Sequence, residues 1–208
     1  MASDSERRDA ARAYLLASAE TKRRVADECD DAVLAAADLI ARAFRTGGKL
    51  LICGNGGSAA DCQHMAAEFV SRLTKAFDRP ALPALALTTD TSFLTAFAND
   101  CGFDGIFERQ VEALGRPGDV LLGISTSGNS PNVVRAVRAA RSAGLSSIAL
   151  TGAGGLLPTL ADVSIQVPST DTQHIQEAHL TIEHLICWLV ERDLFPAPVT
   201  PERQTAAL

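Results

Sequence analysis

Residues 49–58, KLLICGNGGS, contain the pattern that decides the fold. A short apolar run ends in a glycine-rich turn, and a helical stretch of about residues 59–74 follows it. The same order recurs at DVLLGISTSGNS, residues 119–130, which precedes a predicted helix of residues 131–143. A buried strand that leads through a polar turn into a helix is the repeating unit of parallel α/β sheets.

Three more apolar runs complete the predicted sheet: PALALT at 83–88, SSIALTG at 146–152 and VSIQVP at 163–168. Helical or irregular turns fill residues 91–114, and a last helix covers residues 173–194. Five short strands alternating with helices predict an α/β fold with a doubly wound, flavodoxin-like five-stranded parallel sheet. In the expected strand order 2-1-3-4-5, ligands bind at the carboxyl ends of the first and third strands.

The residues before the first strand predict a separate helical part. Residues 4–46 indicate two helices with a junction near residues 29–33, and glycines at 47–48 end the second helix. Their apolar positions must be covered either by the sandwich or by another subunit. We predict an N-terminal helical assembly segment (1–46), an α/β ligand-binding domain (47–196) and a flexible tail (197–208).

Composition and charge exclude several classes of protein. With 19 basic and 25 acidic residues, the net charge is −6, which lacks the basic excess of a general nucleic-acid or membrane-surface binder. Aromatic residues make up 5%, too few for stacking platforms that bind single strands. The five cysteines form no CxxC pair, and the first residues lack the apolar segment of a signal peptide. No apolar run is long enough to span a membrane, so we expect a cytoplasmic protein.

Two loops rich in glycine and hydroxyl groups, residues 54–58 and 125–130, predict an anion site. Glycine lets the backbone approach an anion, and free N–H groups at a helix start favour phosphate. One such loop alone is explained as well by ordinary capping, with Ser58 or Ser130 as the N-cap. Two loops at the favoured strand ends indicate phosphate or phosphosugar binding, and neither has the GxGxxG or GxxxxGKS/T pattern of nucleotide sites.

A second candidate site combines residues of two helices. His64 and Glu68 are one helical turn apart and share a face, which suits metal binding, proton transfer or a solvated pair without chemical role. On the last helix Gln176 and His184 lie about 80° apart in projection, so both can face one cleft. These four residues offer nitrogen and oxygen donors that permit zinc or another first-row divalent ion.

Other polar residues leave alternatives on the last helix. Glu177 competes with Gln176 as the residue that faces the cleft beside His184. His179 lies about 140° from His184 in projection, which favours a packing or interface histidine. His174, near the helix start, is expected to be solvated.

Asn99 and Asp100 form a third polar element after the second strand. Asp100 can hold sugar hydroxyls or orient a catalytic group. An Asn-Asp pair before Cys101 and Gly102 is also ordinary turn chemistry, so both interpretations stay open.

Four segments resemble the sugar-isomerase (SIS) domain family, and within it the phosphoheptose isomerases, over about residues 5–194. They are LLICGNGGSAADCQHMAAEFVSRL (50–73), LTTDTSFLTAFANDCGF (87–103), GISTSGNSPNVVRA (123–136) and IQEAHLTIEHLI (175–186). SIS regulators and sugar-phosphate sensors share the serine loops, whereas the combination of His64 and Glu68 with Gln176 and His184 is narrower.

The resemblance implies roles for individual residues. The implied substrate contacts, with the phosphate held by the hydroxyl loops, are Asn55, Gly56, Gly57, Ser58, Glu68, Asn99, Asp100, Ser125, Thr126, Ser127, Ser130 and Gln176. The implied zinc ligands are His64, Glu68, Gln176 and His184. The implied acid-base residues are Glu68 and His184.

The activity that the resemblance implies is aldose–ketose isomerisation. Sedoheptulose 7-phosphate would be converted to D-glycero-D-manno-heptose 7-phosphate through an enediol, for heptose biosynthesis. The family also implies a homotetramer with sites at subunit interfaces, and neither nucleic acid nor membrane is an expected partner. The alternatives are a sugar-phosphate sensor or a non-catalytic scaffold that binds the replication initiator, which would be expected to lack the histidine and glutamate pair.

Overall fold

A computed structural model describes residues 2–75 and 78–195. The helices in this part are α1 (Asp4–Glu28), α2 (Asp30–Arg45), α3 (Gly57–Val70), α4 (Thr91–Cys101), α5 (Ile106–Leu114), α6 (Pro131–Ser142), α7 (Leu157–Leu160) and α8 (Thr172–Leu194). The strands are β1 (Leu50–Gly54), β2 (Ala84–Ala86), β3 (Val120–Ser125), β4 (Ser146–Thr151) and β5 (Val163–Gln166). All five predicted strands are confirmed to within a few residues, while the short helix α7 was not expected.

The strands form one parallel sheet in the order β2-β1-β3-β4-β5, which confirms the predicted fold class and strand order. β1 and β3 lie side by side, with Leu50 opposite Val120 and Gly54 opposite Ile124. Both strands therefore end at the same edge, and their polar loops leave the sheet next to each other. This is the point where the strand order reverses and where such folds bind ligands.

Alternating strand residues fill two hydrophobic cores. Leu50 and Ile52 face a core shared with α2, α3 and α8, whereas Leu51 and Cys53 face a core shared with α5 and α6. Every residue of β1 is buried, as expected of a central parallel strand with helices on both sides. The α3–α8 side carries most of the titratable residues singled out from the sequence.

The two N-terminal helices are covered to different degrees. α2 buries six apolar residues between Val33 and Ala43 in the core that contains α8, so the sandwich itself covers it. α1 packs on α8 and buries only Ser18 and Thr21. The proposed boundary near residue 46 stays a prediction, and the proposed tail lies outside the described residues. No helix in the described ranges has the length and apolarity to cross a bilayer.

Candidate active site

Three of the predicted side chains converge between α3 and α8. His64 Nε2 lies 2.8 Å from His184 Nε2 and 3.6 Å from Glu68 Oε1. His64 and Glu68 share one face of α3, and α8 brings His184 to them across the packed helix pair. The three donor atoms lie within 4.8 Å of one another, a spacing that suits a common ion or a common proton. The cluster stays accessible, since 44% of the His64 side chain is exposed.

Gln176, the fourth predicted ligand, also faces α3. Its Nε2 donates to Asp61 Oδ2 at 3.3 Å. Its amide lies so close to Gly57 that a Cβ atom there would come within 2.1 Å of Nε2. A side chain at position 57 would therefore displace the Gln176 amide from its present position. Burial raises the pKa of Asp61, and the hydrogen bond from Gln176 offsets part of that shift.

Glu183 is a buried acid that the sequence analysis did not single out. It is 1% exposed, and neither carboxyl oxygen has a hydrogen-bond partner among the described residues. Burial raises its pKa to about 9, with a smaller contribution from Asp61, so the carboxyl group is neutral at pH 7. The sequence did contain a signal for this burial, because Glu183 lies between Ile182 and Ile186 in the apolar stripe of α8.

Glu177 is turned away from the cluster. Its carboxylate accepts a hydrogen bond from Tyr14 Oη at 3.0 Å and another from Ser18 Oγ, both on α1. The Ser18 bond is the main cause that lowers the pKa of Glu177. The carboxylate therefore ties α8 to α1, which removes Glu177 as a rival partner of His184.

The other two histidines of α8 are packed residues. His179 is fully buried, which agrees with the packing role that the sequence favoured, and burial lowers its pKa to about 4. Only 11% of the His174 side chain is exposed, and its ring lies 4.7 Å from the Tyr14 ring between centroids. The expectation that His174 is solvated is wrong, because α1 covers the start of α8.

An amide pair holds the loop after β1. Asn55 Nδ2 donates to Asn132 Oδ1 at 2.9 Å, and Asn132 Nδ2 donates back to Asn55 Oδ1 at 2.8 Å. Gly56 follows with a φ of 57°, a conformation that favours glycine, and it is the N-cap of α3. Ser58 lies inside the first turn of α3 and is buried, which rules out the alternative in which Ser58 caps this helix.

Three hydroxyl groups gather where β3 leads into α6. Ser125 Oγ lies 2.9 Å from Ser130 Oγ and 3.4 Å from Ser127 Oγ. Ser130 is the N-cap residue of α6, but its side chain makes no capping hydrogen bond. The carbonyl of Thr126 accepts from Gly152 N–H at 3.1 Å, which fastens the loop to the end of β4. Hydroxyls at a helix start form a suitable anion site.

Asn99 and Asp100 lie in the last turn of α4, and both are exposed. Asn99 Nδ2 donates to Asp100 Oδ1 at 2.8 Å. Within the described residues, no hydrogen bond joins either side chain to another predicted site residue. Their substrate contact stays a prediction.

The amino-acid sequence is similar to known proteins over most of its length. The SIS domain family matches residues 13–152. A phosphoheptose isomerase of Roseiflexus sp. (strain RS-1) is 54% identical over 180 residues, which cover 86% of this chain and 90% of that protein. The chain belongs to the phosphoheptose isomerases of the SIS domain family.

Solved structures of phosphoheptose isomerases share the fold. A structure from Neisseria gonorrhoeae is 44% identical, with a TM-score of 0.83, and the match covers 88% of this chain and 98% of that one. A structure from Francisella tularensis is 38% identical, with a TM-score of 0.85 and coverage of 88% and 97%.

In this member of the phosphoheptose isomerases, the cluster at α3 and α8 fits a divalent ion. Two imidazole nitrogens and a carboxylate oxygen meet there, a donor set that zinc and other first-row ions accept. The two nitrogens cannot both donate across their 2.8 Å contact, so at least one presents a lone pair at that point.

Proposed function

We propose that the chain interconverts sedoheptulose 7-phosphate and D-glycero-D-manno-heptose 7-phosphate, as a cytoplasmic step of heptose biosynthesis. The observation that carries the proposal is the meeting of His64, Glu68 and His184 on the helix pair beside the first polar loop. Relatives named phosphoheptose isomerase, 54% identical over the matched residues, support the choice of substrate.

The reaction moves a carbonyl group between two neighbouring carbons. A base removes one proton from C1 of the ketose, and the C2 oxygen takes up a proton as the C1–C2 enediol forms. A proton then adds to C2 while the C1 hydroxyl loses its proton, which leaves the aldehyde at C1. Two groups that reach both carbons suffice, and we assign these roles to Glu68 and His184. Their donor atoms lie within 4.8 Å of each other, so one C1–C2 unit can lie within reach of both.

We propose zinc as the ion, one per subunit, held by His64, Glu68, Gln176 and His184. When bound, a divalent ion polarises the substrate carbonyl and stabilises the enediolate. The Nε2 of Gln176 donates to Asp61, and within the described residues no hydrogen bond engages its side-chain oxygen, so we assign that oxygen to the ion. An imidazole or carboxylate atom engaged by the ion is not free to carry a proton, so the two roles of Glu68 and His184 compete.

We propose that the distal phosphate binds at the two polar loops. The hydroxyls of Ser125, Ser127 and Ser130 already gather at the start of α6 and supply donors. Ser58 and Thr126 complete this set, and residues 55–57 hold the sugar. Binding energy from the phosphate fixes the reacting end of the substrate between the acid-base groups.

We infer a homotetramer in which neighbouring subunits complete the site. Asn99 and Asp100 are exposed and have no hydrogen bond to the other predicted residues in the described ranges, so we assign them to the site of a neighbouring subunit. α1 leaves Leu15 and Leu16 exposed at 68% and 58%, as expected of an assembly segment.

The test is incubation of the zinc-loaded protein with sedoheptulose 7-phosphate, followed by NMR. The expected result is the appearance of aldose signals together with the loss of ketose signals. Folded, loaded protein that converts none of the ketose contradicts the proposal and favours a sensor or a scaffold. The scaffold alternative would not need the assembled histidine and glutamate cluster.

A further inference from the structure

Asn132 is a buried amide to which neither the sequence analysis nor the proposed reaction gave a role. It is the second residue of α6 and is 2% exposed. Its Oδ1 accepts from Asn55 Nδ2 at 2.9 Å and from the backbone N–H of Val133 at 3.0 Å. Its Nδ2 donates to Asn55 Oδ1 at 2.8 Å. Both lone pairs of the oxygen and one proton of the nitrogen are therefore used.

The contacts of Asn132 occupy one of the two backbone N–H groups that Ser130 could cap. The first residue of α6 is Pro131, which has no N–H, and Asn132 satisfies the N–H of Val133. The hydroxyl of Ser130 is thus free of the backbone and lies beside Ser125. The hydroxyl of an N-cap serine usually binds a backbone N–H, whereas the hydroxyl of Ser130 is available for a ligand.

The contacts with Asn55 join the two polar loops directly. Asn55 follows the last residue of β1, and Asn132 lies two residues beyond Ser130, the last residue of the hydroxyl loop after β3. Two reciprocal hydrogen bonds fix the position of the Asn55 amide and determine which side presents oxygen and which nitrogen. Because one partner is buried, the pair is shielded from water that would compete for it.

We propose that Asn132 is a positioning residue, which acts on the sugar phosphate through the orientation of Asn55. The inference rests on the proposed function, because that function supplies the ligand. Without its partner, the Asn55 amide can rotate. Binding of the sugar phosphate then has to order this amide, which weakens the affinity.

Asn132→Asp is the decisive variant. The remaining carboxylate oxygen still accepts from Val133 and from Asn55, but the donor to Asn55 Oδ1 is replaced by a second oxygen. A negative charge at a helix start favours the helix, so the thermal midpoint should stay within about 3 °C of wild type. The KM for sedoheptulose 7-phosphate should rise about tenfold or more, as expected for loss of one ordered hydrogen bond. A purely structural role would lower the midpoint and leave KM unchanged.

Ser92→Asp is the control for a negative charge at a helix start. Ser92 is the second residue of α4, the same helix position as Asn132 in α6, and it is exposed and lies outside both polar loops. Its variant should raise KM clearly less than Asn132→Asp. An equal rise in the two variants overturns the proposal, because the charge alone then explains the effect.

A double-mutant cycle with Asn55→Ala tests the route. In that background, Asn132→Ala should add little to the rise in KM. If the two residues acted independently, the fold-changes in KM of the two single variants would multiply in the double variant. Calorimetric binding of sedoheptulose 7-phosphate in the Glu68→Gln background gives the same cycle without turnover. If the wild type does not turn over the sugar, the proposed function fails while the binding cycle still tests Asn132. If the fold-changes of the two substitutions multiply, either in KM or in the calorimetric affinity, the inference is overturned.

Discussion

The Nε2 atoms of His64 and His184 lie 2.8 Å apart, although the two residues are far apart in the chain. A contact of this length between two imidazole nitrogens needs one proton between them, or an ion in place of that proton. Glu68 Oε1 approaches the same His64 nitrogen at 3.6 Å. Proton transfer and metal binding thus depend on the same three side chains.

Glu68→Gln and His184→Gln should each lower kcat by about 10²- to 10⁴-fold, the usual contribution of a general acid or base. NMR of the sugar phosphate measures the rate, and size-exclusion chromatography should show an unchanged assembly. Gln63→Ala is the control, because Gln63 is exposed on the same helix and bonds to Thr88 instead of the cluster. Wild-type turnover in either substituted enzyme would remove the assignment.

Elemental analysis of the purified protein should find zinc at about one ion per subunit, as expected for a site with one convergent donor set. Chelation should abolish turnover and added zinc should restore it. His64→Ala should lose the ion, whereas His174→Ala should keep it, because His174 packs on Tyr14 away from the cluster. Equal metal content in the two variants would place the ion elsewhere.

Glu191→Gln should lower the free energy of unfolding by about 3–5 kcal/mol, measured with denaturant. Glu191 binds Arg79 at 2.6 Å, with side chains 5% and 1% exposed, so the substitution leaves a buried charge without its partner. Arg79 also donates to the backbone carbonyl of Glu68 at 2.7 Å, so kcat should fall as well. Arg72→Ala breaks an exposed ion pair with Asp78 and should change stability by less than about 1 kcal/mol. Similar losses in both variants would show that burial of the pair is unimportant.

Ser130→Ala should raise KM about tenfold, as for the loss of one hydrogen bond to phosphate. It should lower the free energy of unfolding by only about 0.5 kcal/mol, because the Ser130 side chain caps nothing and its one hydrogen bond within the described residues is to Ser125 Oγ. Asp171→Ala provides the contrast, since Asp171 Oδ1 accepts from the backbone of Gln173 and His174 and its loss should cost about 1 kcal/mol. A large stability loss in Ser130→Ala would mean that the hydroxyl supports the helix.

The free energy of unfolding should fall as the pH is lowered from 6.5 to 4, in part because of His179. In the unfolded chain His179 has the ordinary histidine pKa of 6.5, while burial lowers its pKa in the folded protein to about 4. The proton therefore favours the unfolded state, by up to about 3 kcal/mol at the end of this range. His179→Gln removes that contribution, so its profile should be flatter. Urea unfolding at several pH values measures it, and equal slopes for the two proteins would contradict the assignment.

Much of the site was predictable because it depends on local patterns. The one-turn spacing of His64 and Glu68 places both on one helix face, and the loops after β1 and β3 follow from apolar runs that end in glycine and serine. Family resemblance supplied the specific roles. The side chains that support the site were not predicted, because Asn132 reads as an ordinary residue of a helix start until the loop of Asn55 lies beside it.

One expectation, for His174, and two alternatives, for Ser58 and Glu177, are not borne out by the structure. Ser58 has the chemistry of an N-cap, but Gly56 with its φ of 57° is the N-cap, and α3 starts two residues earlier than a cap at Ser58 allows. His174 is polar and near a helix start, which predicts exposure, until α1 covers it. The spacing of Glu177 allows it to face the same cleft as His184. Only the packing of α1 on α8 shows that Tyr14 and Ser18 donate hydrogen bonds to its carboxylate.

The amino-acid sequence by itself determined the parallel α/β sheet, the two polar loops and the candidate helix faces, since short-range periodicity and turn chemistry encode them. The strand order was expected only from the fold class. Only the tertiary structure decided which polar groups meet. The pairs of His64 with His184, Asn55 with Asn132, and Arg79 with Glu191 each join distant segments. Such contacts form when whole helices pack on the sheet. The spacing of residues within one segment does not specify which side chains of a distant segment will lie against it.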